Sequence, residues 1–140
     1  MMQAAIDASM EVAAITGKER PLIIGVTVLT SLDQADLHMI GIKDNLNDEV
    51  ARLADLAQSC GLDGVVCSPY EITSLRKQCG SEFVLVVPGI RPDGSDKNDQ
   101  KRTMTPAEAV RKGASYLVIG RPITQAKSPK ESVKAIIESL

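Results

Sequence analysis

Aromatic residues are nearly absent from this sequence: it has no tryptophan, and phenylalanine and tyrosine together make up 2% of it. Proteins that bind single-stranded nucleic acid stack bases on aromatic side chains, so this scarcity argues against such a platform. An excess of basic residues is missing as well, since the 140 residues carry a formal net charge of -2. We therefore expect neither nucleic acid nor an anionic membrane as a partner.

Metal ligands and paired thiols are also scarce. His38 is the only histidine, and Cys60, Cys67 and Cys79 show no C-x-x-C spacing. These residues favour neither a metal site nor a disulfide framework, and they fit a reducing compartment. We expect no metal and no cofactor.

Long apolar runs do not occur, and the first residues, M-M-Q-A, show no basic segment followed by an apolar one. A bilayer-spanning helix and a secretory signal need these patterns. We therefore expect a cytoplasmic protein. With 44% hydrophobic residues, residues 1–140 are expected to form one globular domain.

Extended and helical patterns alternate along the chain. Apolar runs predict four strands, at 22–29, 64–67, 83–87 and 115–119. Helical spacing predicts six helices: at 2–14, from Ser31 or Asp33 to about 40, from Asn47 or Asp48 to 61, at about 70–78, at 105–113 and at about 129–139. The helix start at 105 is the clearest of these boundaries, because a threonine, a proline and a glutamate stand at the N-cap, N1 and N3 positions of the helix at 105–113. The alternation predicts a parallel sheet with right-handed crossovers and strands buried on both faces.

Two architectures fit such alternation: an open doubly wound sheet and an arc of a (β/α)8 barrel. Neither G-x-G-x-x-G nor G-x-x-x-x-G-K-[ST], the nucleotide motifs of open sheets, occurs. A complete barrel takes roughly 250 residues, so four βα units in this chain correspond to about half of one. The pattern favours an α/β half barrel of the TIM-barrel class.

Two strand ends carry a glycine, an arginine and a proline: V-V-P-G-I-R-P at 86–92 and Y-L-V-I-G-R-P at 116–122. Gly120 lets a ligand approach the backbone, Arg121 offers a planar fork of donors for a phosphate, and Pro122 suits the first turn of a helix. One such stretch alone is more often a turn with an exposed arginine. Its repetition favours a phosphate site, which barrels commonly place at their last strands.

Six stretches together resemble the carboxyl-terminal half of the bacterial orotidine 5′-monophosphate (OMP) decarboxylases, enzymes of pyrimidine biosynthesis that make UMP. They are V-T-V-L-T-S at 26–31, C-G-L-D-G-V-V-C-S at 60–68, P-G-I-R-P at 88–92, D-Q-K-R at 99–102, M-T-P at 104–106 and V-I-G-R-P-I-T at 118–124. The resemblance covers essentially all 140 residues. It implies a lyase of the TIM-barrel fold that binds OMP and UMP.

The resemblance also implies a set of substrate contacts. Thr30, beside Ser31, matches the strand-end hydroxyl that meets the pyrimidine. Arg91 and Gln100 match residues of a loop that closes over the nucleotide, with Gln100 bridging toward the phosphate. Gly120 and Arg121 match the phosphate site itself.

The family's catalytic lysine and aspartates, which form a D-x-K-x-x-D pattern on earlier strands, have no counterpart here. The nearest spacing begins at Asp99 and continues to Lys101, but its sixth position is Met104. The resemblance therefore implies no catalytic residue in this chain, and we expect no decarboxylation by the chain alone.

A half barrel leaves open edges at its first and last strands. We therefore expect a homo-oligomer, such as a homodimer, or pairing with an amino-terminal half. Two other functions remain open at this point: a non-catalytic half barrel that binds ribose phosphates, and an assembly protein that pairs through its edges.

Overall fold

The fold alternates strands and helices, as the sequence predicts. The computed structural model describes residues 1–93 and 101–140. In these ranges the elements are α1 (Met2–Thr16), β1 (Ile24–Val26), α2 (Gln34–Met39), α3 (Leu46–Ser59), β2 (Gly64–Val66), α4 (Ile72–Cys79), β3 (Val84–Val87), α5 (Pro106–Lys112), β4 (Tyr116–Leu117), α6 (Arg121–Thr124) and α7 (Pro129–Glu138). No helix in these two ranges is long and apolar enough to cross a membrane.

The four strands form one parallel sheet in the order β1-β2-β3-β4. A doubly wound sheet contains a switch point at which the strand order reverses, whereas successive barrel strands lie side by side in sequence order. The order among the described strands contains no reversal. The sheet is therefore an arc of a (β/α)8 barrel, which confirms the predicted fold class.

Helix starts are set by local side chains. Asp33, one of the two caps that the sequence left open, caps α2 by accepting hydrogen bonds from the amides of Ala35 and Asp36. Thr105 caps α5 in a capping box with Glu108, as predicted. The predicted start of α3 was wrong: its N-cap is Asn45, whose side chain accepts from the Asn47 amide at 2.9 Å. Asparagine is a favoured N-cap, and Asn45 precedes the two residues that the sequence favoured.

The strands are shorter than predicted. The run at 22–29 contains the three-residue β1, and the run at 115–119 contains the two-residue β4. Val28, Leu29 and Val118 lie beyond the paired residues and line the cavity described below, whereas Leu22 and Ile23 precede β1. A run of hydrophobic residues therefore locates these strands but overestimates their length.

One face of the sheet is covered by helices. Helix α3 packs against β2 and α4, and α4 packs against α5. The register row Gly25–Val65–Leu85 lies on this face: a Cβ on Gly25 would contact Ala57 and Leu62, and Val65 and Leu85 are buried. The core of the chain lies between this face and the helices.

The opposite face is largely uncovered. The next register row crosses all four strands as Val26–Val66–Val86–Tyr116. Its two outer members, Val26 and Tyr116, are 61% and 56% exposed, and Val118 is 48% exposed. The prediction of strands buried on both faces was therefore wrong for the outer strands, because nothing in the described residues packs against this side of them.

Candidate functional site

A cavity of about 300 Å³ opens at the carboxyl ends of the strands, on the uncovered face of the sheet. Twelve residues line it: Val26, Val28, Leu29, Thr30, Ser31, Val66, Pro88, Gly89, Arg91, Val118, Gly120 and Arg121. Apolar strand residues form its floor, and polar residues from the loops that follow β1, β3 and β4 form its rim. Barrel enzymes place their active sites at this end of the strands.

Four of the five predicted site residues line this one cavity: Thr30, Arg91, Gly120 and Arg121. The fifth, Gln100, lies outside the described residues. The four come from three different strand ends, so only the parallel sheet brings them together. The resemblance implied that these residues contact one substrate, and the structure places the four described ones around one cavity.

Thr30 is positioned by the turn that follows β1. It is 6% exposed, and the Leu32 amide donates a hydrogen bond to the Leu29 carbonyl at 3.0 Å. Asp33, the N-cap of α2, follows directly. The threonine is therefore held between a strand and a capped helix.

Gly120 is the N-cap of α6, and its carbonyl oxygen accepts hydrogen bonds from the amides of Ile123 and Thr124 at 2.8 and 3.0 Å. Pro122 stands in the first turn of this helix, as the sequence predicts. The helix is only four residues long. It turns the half-buried Arg121 toward the cavity that it lines.

Arg91 is held at the end of β3 by a strand-like contact with the segment that begins at residue 101. Ile90 forms a parallel bridge with Met104. The Arg91 amide donates to the Met104 carbonyl at 2.9 Å, and the Met104 amide donates to the Gly89 carbonyl at 3.3 Å. The Arg91 side chain is buried, and its Nη1 donates to the Ile90 carbonyl at 2.8 Å.

Lys101 anchors the same segment to α2. Its Nζ lies 2.7 Å from a carboxylate oxygen of Asp33 and 2.7 Å from one of Asp36. The hydrogen bond from Lys101, together with the cap bond from the Asp36 amide, lowers the pKa of Asp33 to about 2. No local signal in the sequence links Lys101 to these two aspartates, which lie 68 and 65 positions away.

A second pair that sequence reasoning missed is buried behind the cavity. Arg102 donates to the carboxylate of Glu71, and the two side chains are 8% and 2% exposed. Glu71 also accepts from the Ser68 amide at 2.7 Å. The spacing S-x-x-E at 68–71 is a helix-start signal, but it does not identify Arg102 as a partner.

Cys67, at the end of β2, is fully buried. Burial, with the charge of Glu71 as a smaller cause, raises the pKa of its thiol to about 12. A thiol in this state is a poor nucleophile. Cys67 is thus a buried packing residue.

A second cavity, of about 280 Å³, lies between the start of α5 and α7. No lysine or arginine occurs among the described residues that line it. Without a cation to bind a phosphate, it is the weaker candidate for an anionic ligand.

Comparison with known proteins shows to which family this chain belongs. The sequence model of the family described as "Orotidine 5'-phosphate decarboxylase / HUMPS family" matches residues 1–136. The chain belongs to this family. Its members include two relatives named orotidine 5'-phosphate decarboxylase. The one from Actinobacillus succinogenes is 60% identical over 124 residues, which are 89% of this chain and 53% of the relative. The one from Moorella thermoacetica is 57% identical over 137 residues, 97% of this chain and 54% of the relative.

Solved structures agree. The crystal structure of orotidine 5'-phosphate decarboxylase from Lactobacillus acidophilus superimposes with a TM-score of 0.81 at 34% identity, over 99% of this chain and 57% of that one. The chain thus spans about half the length of the relatives that it matches. Family membership confirms the resemblance.

Proposed function

We propose that this chain supplies the phosphate-binding and pyrimidine-contacting half of an OMP decarboxylase site, which converts OMP to UMP and CO2 in pyrimidine biosynthesis in the cytoplasm. The observation that carries the proposal is the convergence of Thr30, Arg91, Gly120 and Arg121 on one cavity at the carboxyl ends of the strands.

The phosphate is bound at the end of β4. Arg121 supplies a bidentate, charge-assisted pair of hydrogen bonds, and Gly120 leaves room for the phosphate beside the backbone. A charge-assisted hydrogen bond contributes roughly 1.5–3 kcal/mol. The phosphate end of the nucleotide is thus the part that this chain binds most strongly.

The pyrimidine lies toward β1, where the Thr30 hydroxyl contacts it, and the apolar floor of Val26, Val66 and Val118 excludes water beneath it. Arg91 and Gln100 match family residues that contact the nucleotide, and Gln100 lies outside the described residues. Binding energy from the phosphate, remote from the reacting carbon, can stabilise the reactive state.

The lysine and aspartates that decarboxylate OMP in this family are not part of this chain, because D-x-K-x-x-D does not occur in its 140 residues. We propose that they come from four further βα units, which complete the barrel over the exposed row Val26–Tyr116. Residues 1–140 then act as one unit within an assembly of two such barrels, a homodimer.

A chimera tests this proposal. Residues 1–140 replace the matching 54% of the Moorella thermoacetica relative, and OMP decarboxylation is followed by absorbance. We expect the chimera to be active and residues 1–140 alone to be inactive. In the chimera, Arg121→Ala should lower kcat/KM roughly tenfold to a hundredfold, the loss of one charge-assisted contact. A folded, inactive chimera would contradict the proposal.

A further inference from the structure

The segment after residue 100 contains a guanidinium, that of Arg102, which contacts two cavity-lining residues and a buried acid behind the cavity. Arg102 Nη2 donates to the carbonyl oxygens of Val28 and Leu29, at 3.2 and 2.9 Å. Its Nη1 donates to Glu71. Arg102 therefore joins the end of β1, directly before Thr30, to the start of α4.

The backbone of the same segment continues the connection to β3. The amides of Arg91 and Met104 form the two hydrogen bonds of the bridge described above, and a Cβ on Gly89 would lie 2.8 Å from the Arg102 carbonyl oxygen. No side chain fits between these two backbones. A displacement of Arg102 would therefore move the supports of both Thr30 and Arg91.

We propose that Arg102, oriented by Glu71, is a positioning residue that fixes Thr30 and Arg91 relative to each other at the nucleotide cavity. The inference rests on the proposed function for the identity of the ligand. Arg102 and Glu71 are buried and do not line the cavity. In this proposal they set the distance between Thr30 and Arg91.

The energetics of the pair favour positioning over stabilisation. Arg102 Nε is buried and has no hydrogen-bond partner among the described residues. A buried ion pair gains little stability overall, because the desolvation of both charges offsets their attraction, and an unpaired N–H adds to the cost. The guanidinium instead fixes relative positions, because its rigid planar group donates to the Glu71 carboxylate and to two backbone carbonyls at the same time.

Two variants separate these roles. In Glu71→Gln/Arg102→Met, the glutamine oxygen still accepts from the Ser68 amide, the methionine fills the space of the arginine stem, and no charge is buried. In Arg102→Lys, the charge beside Glu71 remains, but the fork is lost. The matched control is Asp63→Asn/Arg20→Met, which removes the pair at the amino ends of the strands.

Amide hydrogen exchange of the full chain, resolved by residue, is the first readout. We expect exchange at Arg91 and Met104 to rise at least tenfold in both Arg102 variants, with core amides of β2 and β3 unchanged. The control should leave exchange at Arg91 and Met104 unchanged. A uniform rise across the chain, no rise, or full rescue by lysine would overturn the proposal.

Titration with UMP is the second readout. If wild type binds UMP, we expect about tenfold weaker binding by both Arg102 variants and none of this loss in the control; equal affinity would overturn the proposal. If wild type does not bind UMP, the proposed function of the isolated chain fails, while the exchange experiment still decides whether Arg102 positions Arg91.

Discussion

The backbone amide of Arg91 donates to the carbonyl oxygen of Met104 at 2.9 Å, and this bond joins the two segments that flank residues 94–100. It places a cationic residue of the cavity beside a segment whose side chains, Lys101 and Arg102, are paired with acids on α2 and at the start of α4. The geometry at the end of β3 therefore depends on residues far along the chain.

Gly89 tests how closely those two segments must approach. Its φ of +76° disfavours any L side chain, and a Cβ would lie 2.8 Å from the Arg102 carbonyl oxygen. We expect Gly89→Ala to lower the free energy of unfolding by roughly 2–5 kcal/mol, since strain and overpacking add. The control is Gly17→Ala, where φ is +65° and nothing lies within 4 Å. It should cost only roughly 1–2 kcal/mol. If urea unfolding gave the same loss of free energy for Gly89→Ala and Gly17→Ala, the backbones at residues 89 and 102 would be able to move apart at little cost, which would contradict this prediction.

The pairing of Lys101 with Asp33 predicts a pH dependence. The pKa of Asp33 is lowered from 3.8 to about 2, so the pair stabilises the fold above pH 4 and this contribution is lost as the pH falls through 2. In Lys101→Met, the pKa of Asp33 should rise but stay below 3.8, because the amides of Ala35 and Asp36 still donate to it. Carboxyl NMR titration measures this shift. Lys130→Met, which changes an exposed charge on α7, should leave it unaltered.

Cys67 gives a probe of the core. Because it is fully buried and its thiol pKa is raised to about 12, we expect iodoacetamide to leave it unmodified in the native chain and to modify it once urea unfolds the protein. Mass spectrometry of Cys60→Ser/Cys79→Ser isolates this thiol. Rapid modification under native conditions would show that the end of β2 opens without global unfolding.

The uncovered sheet face predicts association. Val26 and Tyr116 present apolar surface at the two edges of the sheet, so we expect the wild-type chain to sediment as a species larger than a monomer. Val26→Glu/Tyr116→Glu should shift it toward the monomer. The control Met39→Glu/Ile137→Glu places the same charges on helices, at residues 80% and 63% exposed, and should leave the sedimentation unchanged.

Local sequence signals predicted most of the fold. The threonine, proline and glutamate at the start of α5 act within one turn of the helix. Asp33 caps the helix that it directly precedes. Both signals lie in adjacent residues, so they can be recognised from the sequence. The site was predicted in a different way. Thr30 and Arg91 were identified by their resemblance to family motifs. Gly120 and Arg121 were also indicated by the glycine, arginine and proline at the end of an apolar run, and the parallel order of the strands explains why all four meet.

The features that were not predicted depend on contacts between residues far apart in the sequence. Glu71 and Arg102 are 31 positions apart, and their pairing follows from the packing of the strand ends rather than from any local pattern. The exposure of Val26 and Tyr116 was missed for a related reason. A run of branched residues is the same whether a strand is central or lies at the edge of a sheet.

The most direct test of the central claim is calorimetric titration of the chain with UMP, compared with Arg121→Ala and with Arg111→Ala. Arg111 is an exposed residue in the last turn of α5, so its removal matches the change in net charge without touching the cavity. We predict that the wild type and Arg111→Ala bind UMP alike and that Arg121→Ala loses at least tenfold in affinity. Equal affinities of all three proteins would contradict a phosphate site at the end of β4.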